Sequence, residues 1–391
     1  MSTAASPALG DLVMTNARVW AGPDAEISDP QSLTIRDGVI AAIGDAAADL
    51  PHLDVGGRVV TAGFWNCHVH FTEPVWAGAG AAAADDLQPA LDDMLLRRGF
   101  TTVLDLASNR RDTVPLARRI DAGELRGPEI VTAAGALYPW AGIPFYVRPA
   151  IPWHLRWMLP MPLTAAGARR VVAAQHRHGA GITKLFTGSY TAPGRVKPMR
   201  AVIARAAVRA AHERGMPVLA HPSDRAGTRV AIEAGVDALA HVPDSAAGVE
   251  SLLRDAAARG TRIVPTLHMF AATVTTDDGY LDPIRAALRT FLAAGGRVLF
   301  GTDVGYLPDR DTRPEFAAMA GCGMTVADIL RSLTVEPAAF LGRADQGRVA
   351  VGMRGDLTVL DVRSEAPAAT DFADVHAVVR AGRVIFRRSV I

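Results

Sequence analysis

The chain has 391 residues, of which 49% are apolar and 21% charged, a composition typical of a globular protein with a large core rather than of a disordered one. Its formal net charge is +1, so it offers no strong attraction for nucleic acid or an anionic membrane. It contains no apolar run of about 18 residues that could span a bilayer, and its first residues lack a signal-peptide pattern. With only two cysteines, the sequence predicts a cytoplasmic protein without a disulfide framework.

Short β-like segments occupy both ends of the chain. Residues 11–60 and 348–391 contain apolar runs bounded by glycine and aspartate, with no helical periodicity. This pattern predicts one small β-sandwich domain built from both chain ends, and a separate C-terminal domain is the open alternative. The predicted boundaries are 1–60 and 346–391 for the sandwich and 61–345 for the domain between them.

Between the termini, eight short apolar segments alternate with helical patterns. These segments are 63–71, 101–108, 129–136, 182–189, 216–224, 236–244, 261–270 and 297–305. Strands that alternate with helices favour a parallel sheet. Eight such units over about 285 residues fit a closed barrel, whereas an open doubly wound sheet would normally show a glycine-rich phosphate loop after its first strand. We therefore predict an α/β fold, a (β/α)8 TIM barrel with the small β-sandwich attached.

Five side chains of the kind that bind metals fall at the ends of these segments. His68 and His70 end the first, His221 the fifth, His241 the sixth and Asp303 the eighth. Singly, each has an ordinary explanation, such as a turn cap or a buried core histidine. Because the carboxyl ends of barrel strands converge on one mouth, the five together predict a metal site.

Only two of the 41 lysines and arginines are lysine, Lys184 and Lys197. Lys184 ends the fourth predicted strand, where an uncharged amine could take up carbon dioxide to become a carbamate, a reaction closed to arginine. A carbamate has two oxygens and can bridge two cations, so a binuclear site is favoured over a mononuclear one. The alternative is an ammonium that pairs with Asp105 or with a substrate carboxylate. Lys197 is expected to be a solvated surface residue.

Five motifs place these ligand types in a characteristic order along the chain. GFWNCHVHF, ITKLF, LAHPSD, LAHVPD and FGTDVG together resemble the amidohydrolase superfamily of metal-dependent hydrolases. They are most similar to its branch of imidazolonepropionases and prolidase-like dipeptidases with a carboxylated lysine. The likeness covers almost the whole chain and is specific for the superfamily, but it is weak for substrate.

The resemblance implies two divalent metal ions, with zinc expected and with manganese, iron or cobalt compatible with the same ligands. One ion would be bound by His68, His70 and Asp303 and the second by His221 and His241, with the carbamate of Lys184 bridging both. The chain departs from the family at Asn66, where the family often has aspartate. A carboxylate that would orient a ligand imidazole is thereby lost, so tuning of the first metal is expected to differ.

Such metal ions predict hydrolysis, because they make hydroxide available near neutral pH. Asp303 is the expected proton shuttle. His268 and Tyr306 are candidates to contact the substrate carbonyl, carboxylate or oxyanion, although polar residues at strand ends also cap turns. The leading hypothesis is a hydrolase that cleaves a C–N bond of an amide, lactam or amino-acid conjugate with hydroxide bridging two metals. A mononuclear deaminase or imidazolone-type cyclic amide hydrolase, and a non-catalytic scaffold, are the alternatives.

A proline-rich segment at 137–161 holds three of the six tryptophans. It predicts either an aromatic wall over the substrate or a packed segment that contacts the barrel or another subunit. With Trp76 and Tyr190 as further apolar walls, the expected substrate is a small molecule that contains a bulky hydrophobic or aromatic amide or a lactam, rather than a small polar dipeptide. A homo-oligomer is left open.

Overall fold

The structure is a computed structural model that describes residues 9–245 and 247–388. Its strands are β1 (Leu12–Trp20), β2 (Ile27–Arg36), β3 (Val39–Ile43), β4 (His52–Asp54), β5 (Val59–Ala62), β6 (Phe64–Val69), β7 (Phe100–Asp105), β8 (Glu129–Thr132), β9 (Ala136–Leu137), β10 (Thr183–Phe186), β11 (Gly188–Ala192), β12 (Arg195–Pro198), β13 (Val218–His221), β14 (Ala238–Ala240), β15 (Arg262–Val264), β16 (Leu357–Leu360), β17 (Val375–Arg380) and β18 (Arg383–Arg387).

The α-helices are α1 (Ala84–Met94), α2 (Arg110–Asp121), α3 (Ala165–Arg177), α4 (Ala201–His212), α5 (Arg225–Ala234), α6 (Glu250–Ala258), α7 (Leu267–Thr273), α8 (Asp278–Ala293), α9 (Arg313–Gly321), α10 (Val326–Leu333) and α11 (Val335–Phe340). Among the described residues, no helix combines the length and the apolar character needed to cross a membrane.

Both ends of the chain contribute strands to one eight-stranded sheet. Its order is β18-β17-β16-β5-β1-β2-β3, and β4 pairs with β1. The C-terminal strand β16 lies antiparallel to β5, with Leu357 opposite Ala62. The two ends therefore meet in a single sheet, whereas strand pairing does not define the second layer of the predicted sandwich. The sandwich and its boundaries stay predictions, and β5 runs across the predicted boundary at residue 60.

The middle of the chain contains two parallel sheets, β15-β14-β13-β10-β9 and β6-β7-β8. Seven of the eight predicted segments contain one of these strands, and helices separate them as expected from the alternating pattern. A buried apolar cluster takes side chains from strands of both sheets, including Trp65, Leu104, Leu219 and Val264. Burial on all sides explains why these segments read as continuous apolar runs rather than as alternating ones.

The eighth segment, 297–305, forms only isolated bridges, Val298 to Ile263 and Val304 to Val69. It still donates and accepts backbone hydrogen bonds on both sides. Leu299 donates to Ile263 on β15 (2.9 Å), and Phe300 accepts from Cys67 on β6 (2.7 Å). The prediction of an eighth regular strand is therefore wrong in detail, but the segment connects the edge strands of the two sheets.

The third predicted strand is bent. Ala134 and Gly135 have φ of +52° and +112°, and this left-handed turn separates β8 from β9. As a result β8 pairs with β7 in one sheet, and β9 pairs with β10 in the other. Strand pairing thus defines two arcs rather than one continuous sheet, and a closed eight-stranded barrel stays a prediction.

Helix α5 begins only four residues after the end of β13, and this short connection restricts the loop between them. The carboxylate of Asp224 accepts a hydrogen bond from the Gly227 amide at 2.8 Å and so caps the first turn of α5. A Cβ atom at Gly227 would lie 2.0 Å from the carbonyl oxygen of Pro222. Only glycine lets the helix begin this close to the strand end, which holds His221 near the middle of the site.

Candidate metal centre

Three imidazoles converge on the carboxylate of Asp303. The Nε2 atoms of His68 and His70 lie 3.2 and 2.9 Å from its Oδ1, and Nε2 of His241 lies 4.0 Å from its Oδ2. One ligand atom each from His68, His70 and Asp303 falls within a group whose members are all within 4.8 Å of one another. Ligand-type atoms gathered this tightly from two distant parts of the chain form a candidate cation site.

His221 and Lys184 complete the same floor. The ring centroids of His221 and His241 are 4.6 Å apart, and Lys184 is 1% exposed. We call His68, His70, Lys184, His221, His241 and Asp303 the ligand cluster, and all six line one cavity. The structure thus brings together every residue predicted to bind metal.

Burial favours the neutral form of four members of the ligand cluster. It lowers the pKa of His68, His221 and His241 well below the ordinary value, with further lowering from the neighbouring positive groups. Burial also lowers the pKa of Lys184 to about 7, although Asp303 opposes this shift. Neutral imidazoles and a neutral amine are the forms that bind metals or react with carbon dioxide.

Lys184 is buried without a hydrogen-bond partner for its Nζ among the described residues. Asp105 does not provide one, because its carboxylate accepts hydrogen bonds from the hydroxyls of Ser108 and Thr132. Nδ1 of His68 is also buried without a hydrogen-bond partner in the described part of the chain. Oδ1 of Asp303 lies 2.9 Å from Nε2 of His70, but the angle of this contact is not that of a hydrogen bond. Orphaned donors and acceptors at one point fit a group that binds there, since unpaired buried polar atoms cost about 1–3 kcal/mol each.

Thr266 orients one of the imidazoles. Its hydroxyl donates to the carbonyl of Pro265 at 2.8 Å and lies 2.7 Å from Nδ1 of His241. A hydroxyl that already donates elsewhere accepts from the imidazole, so Nδ1 of His241 carries the proton. The lone pair is then on Nε2, which faces the ligand cluster, as expected for a metal-binding histidine with a supporting hydrogen bond.

Asn66 plays a structural part where the family often has aspartate. Its Nδ2 donates to the Thr302 hydroxyl at 2.8 Å, and its Oδ1 accepts from the backbone amides of His68 and Thr302 at 3.1 and 3.2 Å. The asparagine therefore ties β6 to the loop that carries Asp303. A carboxylate could accept the two amide hydrogen bonds, but it could not donate to Thr302.

The backbone is strained at several strand ends around the cluster. Five residues other than glycine have positive φ there: Ala107, Ser223, His241, Thr266 and Asp303. The φ of His241 is +98° and that of Asp303 is +62°. Such conformations cost on the order of 1–3 kcal/mol each and gather at functional sites, where the surrounding structure holds a side chain in place. The backbone conformations of His241 and Asp303 therefore set the directions of these two side chains.

Glycine permits the tight turn after Asp303. Gly305 has φ of +96°, and a Cβ atom there would lie 1.7 Å from the carbonyl oxygen of His70. The Asp303 loop can therefore fold directly against the HxH segment only because residue 305 lacks a side chain. This close approach brings Asp303 next to His68 on β6 and to His70, which directly follows β6.

The ligand cluster forms the floor of a cavity of about 650 Å³. Segment 137–161 contributes part of the wall, because Tyr138, Phe145 and Tyr146 line the cavity. Tyr138 stacks on Phe186 with centroids 4.8 Å apart. The second half of the segment faces solvent, with Trp153 79% exposed. The prediction of an aromatic wall describes the first half of the segment.

Other predicted contacts are divided between the cavity and its surroundings. Tyr306 lines the cavity, as does Tyr190. His268 is not among the described residues that line it: its Nε2 lies 2.8 Å from the Asp309 carboxylate, and it borders a second, smaller cavity. Trp76 is buried against Phe71 and, like His268, is not one of the described residues that line the cavity. His268 and Trp76 are therefore not placed where the predicted substrate contacts require.

Sequence reasoning missed an acidic group on the wall. Asp244 lines the cavity, accepts from the Tyr280 hydroxyl at 3.4 Å and is hydrogen-bonded to Tyr190. Burial raises the pKa of Asp244 to about 6 against these hydrogen bonds. We call Tyr190, Asp244 and Tyr280 the acidic wall. The one sequence signal for the acidic wall is the position of Asp244, three residues after His241. Nothing in the sequence connects Tyr280 to Asp244.

Comparison with known proteins gives one family match. The profile of the amidohydrolase family matches residues 59–385, which is most of the chain. No curated protein sequence matches it.

Solved structures with the same fold are more numerous. A Xaa-Pro dipeptidase with bound methionine has a TM-score of 0.81 at 21% identity, covering 97% of this chain and 100% of that one. An A. niger ochratoxinase has a TM-score of 0.76 at 21% identity, covering 96% of each chain. A molinate hydrolase has a TM-score of 0.78 at 17% identity, covering 96% of this chain and 95% of that one. At these identities the likeness shows a shared TIM-barrel-type α/β fold.

Proposed function

The chain belongs to the amidohydrolase family and is an enzyme that acts on carbon–nitrogen bonds, and from this premise we propose that it hydrolyses an amide-type bond with two divalent metal ions and hydroxide as nucleophile. The observation that carries the proposal is the convergence of the ligand cluster at the floor of one cavity. The likeness to a dipeptidase, an ochratoxinase and a molinate hydrolase is compatible with such a bond, because those names describe hydrolases.

The proposed ligand assignment has two halves. His68, His70 and Asp303 would hold one ion, and the closeness of their ligand atoms supports this assignment. His221 and His241 would hold the other. Zinc is the metal we propose, since nitrogen and oxygen donors from a few side chains suit it, with manganese, iron and cobalt as substitutes.

Lys184 bridges the two halves as a carbamate in this proposal. Its nitrogen adds to carbon dioxide and loses a proton, which gives a carboxylate on the end of the side chain. The fully buried amine without a partner supports this assignment, because a permanent ammonium there would lack a counter-ion at hydrogen-bond distance. Arginine, the prevailing base elsewhere in the chain, could not react in this way.

Bound divalent ions would supply a water acidic enough to be hydroxide near neutral pH and would polarise the carbonyl. Asp303 accepts the proton that is released as the nucleophile attacks, and it passes that proton to the departing nitrogen. Its position, within 3.2 Å of two imidazole nitrogens, keeps the carboxylate at the reacting centre. Tyr306, which is 43% exposed and lines the cavity, donates a hydrogen bond to the carbonyl oxygen as negative charge develops.

The barrel itself is part of the proposal. We infer that segment 297–305 closes the two parallel sheets into one barrel, with the eight-stranded end sheet as a separate small domain. The hydrogen bonds from this segment to β6 and β15 support closure. Closure explains how residues from the first and last segments face each other across one floor.

A mononuclear deaminase or cyclic amide hydrolase is the second candidate. One observation favours it: His68, His70 and Asp303 are the members of the ligand cluster that already form a compact group within the described residues. That set would serve one ion without any need for a carbamate.

The test is metal content together with turnover. We expect about two ions per chain by elemental analysis, and metal-dependent hydrolysis of amides that is lost with a chelator and restored by zinc. In the Lys184→Ala variant the content should fall, whereas the surface variant Lys197→Ala should keep both ions. A single ion that is unaffected by Lys184→Ala would favour the second candidate, and hydrolysis that survives complete metal removal would refute both.

A further inference from the structure

The acidic wall holds a carboxylate that lacks a cationic partner. Asp244 accepts hydrogen bonds from the Ser245 amide at 3.1 Å and from the Tyr280 hydroxyl at 3.4 Å, and its own amide and Tyr190 also donate to it. No lysine, arginine or histidine lies within ion-pair distance of it in the described part of the chain. All of these donors are uncharged, so they leave the negative charge of the carboxylate without a compensating positive charge.

The rest of the cavity lining is also poor in positive charge. Among the described residues, no arginine lines it, although nearly all basic residues of this chain are arginine. Lys184 is the one lysine there, and the proposed function assigns it to the metals. Away from the floor, where the proposed metal ions would lie, a substrate carboxylate would therefore find no guanidinium or ammonium partner among the described lining residues, and burying an unpaired anion is costly.

Aromatic rings surround the acidic wall. Phe270 lies between the floor and the wall, with centroids 5.9 Å from His241 and 6.4 Å from Tyr280. The ring centroids of Tyr146 and Tyr306, which also line the cavity, are 5.7 Å apart with the ring planes tilted by 56°. Electron-rich ring faces next to a carboxylate attract a cation and disfavour an anion.

We propose that the acidic wall selects aromatic amides that carry a protonated amine and rejects those with a free carboxylate, with Asp244 as the specificity-determining residue. The inference rests on the proposed function for the identity of the site and narrows its substrate class. An ammonium would bind Asp244 between Tyr190 and Tyr280 while the scissile bond lies over the ligand cluster. Among the bonds proposed above, conjugates that end in a free amino-acid carboxylate are disfavoured.

A purely structural role for Asp244 is the competing interpretation. Asp244 joins the loop after β14 to the β11–β12 hairpin through Tyr190 and to α8 through Tyr280. Asparagine could still accept hydrogen bonds from both tyrosines, but it has no negative charge. The Asp244→Asn variant therefore separates a structural contact from recognition of a cation.

The test is calorimetric binding of three matched probes to the purified protein near neutral pH. The probes are 4-phenylbutylamine, which is protonated, 4-phenylbutan-1-ol, which is neutral, and 4-phenylbutane-1-sulfonate, an anion that is a weak metal ligand. We expect the amine to bind about tenfold more tightly than the alcohol, as for one added charge-assisted hydrogen bond, and the sulfonate to bind most weakly.

Asp244→Asn should remove the preference for the amine and leave the alcohol within about twofold. Asp255→Asn, which removes an exposed carboxylate paired with Arg259 on α6, is the matched control and should change nothing. Tyr280→Phe, which keeps the charge, should retain the preference. If the sulfonate binds as tightly as the amine, or if Asp244→Asn weakens amine and alcohol equally, the proposal is overturned.

Binding of these probes requires no turnover, so the two proposals fail separately. A protein that prefers the amine but hydrolyses no amide contradicts the proposed function alone. A protein that hydrolyses amides in a metal-dependent way but shows no charge preference contradicts only the role of Asp244.

Discussion

The floor and the wall of the cavity are built in different ways. The ligand cluster takes its side chains from β6, β10 and β13, from the residues directly after β6 and β14, and from segment 297–305. Four of the six are buried, and His70 and His221 are half-buried. The acidic wall takes its side chains from a hairpin, a loop and the first turn of a helix, and Asp244 is half-buried. A rigid scaffold thus holds the chemistry, and longer connections hold the groups that face the substrate.

This division separates two kinds of change. A substitution on the floor should affect metal binding and every substrate alike, because it alters the reacting centre. A substitution on the wall should alter the ranking of ligands and leave metal content unchanged. The predictions below test this contrast, from the largest expected effect to the smallest.

Asp303→Asn should have the largest effect. It removes the carboxylate on which three imidazoles converge and the proposed proton shuttle, so kcat/KM should fall by about 1000-fold or more for every substrate. Steady-state kinetics with at least two amides provides the measurement. Asp309→Asn, which alters a carboxylate that contacts His268 outside the cavity lining, is the control and should retain most activity. Comparable losses in the two variants would contradict the special position of Asp303.

Lys184→Arg should abolish the bridge between the two halves of the floor. Activity should fall by at least about 100-fold. Loss of a residue that only hydrogen-bonds to a metal ligand typically costs about 10–100-fold, and loss of a ligand itself should cost at least the upper end of that range. After incubation with ¹³C-bicarbonate, NMR should show a carbamate resonance in the protein without substitutions and none in Lys184→Arg. Lys197→Arg should keep both the resonance and the activity. A resonance that persists in Lys184→Arg would place the carbamate elsewhere.

Thr266→Val should weaken metal binding without removing a ligand. It deletes the hydroxyl that lies against Nδ1 of His241, so the imidazole is no longer held in one tautomer. Chelator competition should show a loss in affinity of about 10–100-fold for one of the two ions. Thr290→Val, whose hydroxyl only donates within α8, serves as the matched change and should leave affinity unaltered. Equal affinities in all three proteins would rule out an orienting role for Thr266.

The pH dependence of amine binding should be the smallest effect and should belong to the wall. Burial raises the pKa of Asp244 to about 6, so its carboxylate is charged above that pH and protonated below it. Affinity for 4-phenylbutylamine should therefore fall by about fivefold between neutral pH and one unit below the pKa, because about one-tenth of the carboxylate is still charged there, while affinity for the alcohol stays level. Calorimetry near neutral pH and at one pH unit below the pKa tests this, and the amine affinity of Asp244→Asn should not change between the two. A slope that persists in Asp244→Asn would assign the titration to another group.

Much of the floor could be predicted from the sequence, because each ligand lies in or directly after a short apolar segment that is recognisable in the sequence. His68 and His70 are separated by one residue, and Lys184 was notable as one of two lysines. The eighth segment was harder, since its backbone pairs irregularly with β6 and β15 although its apolar run resembles a strand. The position of His268 was missed because α7 begins at Leu267 and turns this side chain toward Asp309.

By itself, the sequence determined the order of strands and helices and the identities of the residues that gather at the floor, since periodicity and strand ends are local properties of the chain. Only the tertiary structure decided which loop residues meet across the cavity. Asp244 and Tyr280 are 36 residues apart, and their contact depends on where α8 lies relative to the loop after β14. The paths of such connections follow from packing between elements, which no short stretch of sequence encodes.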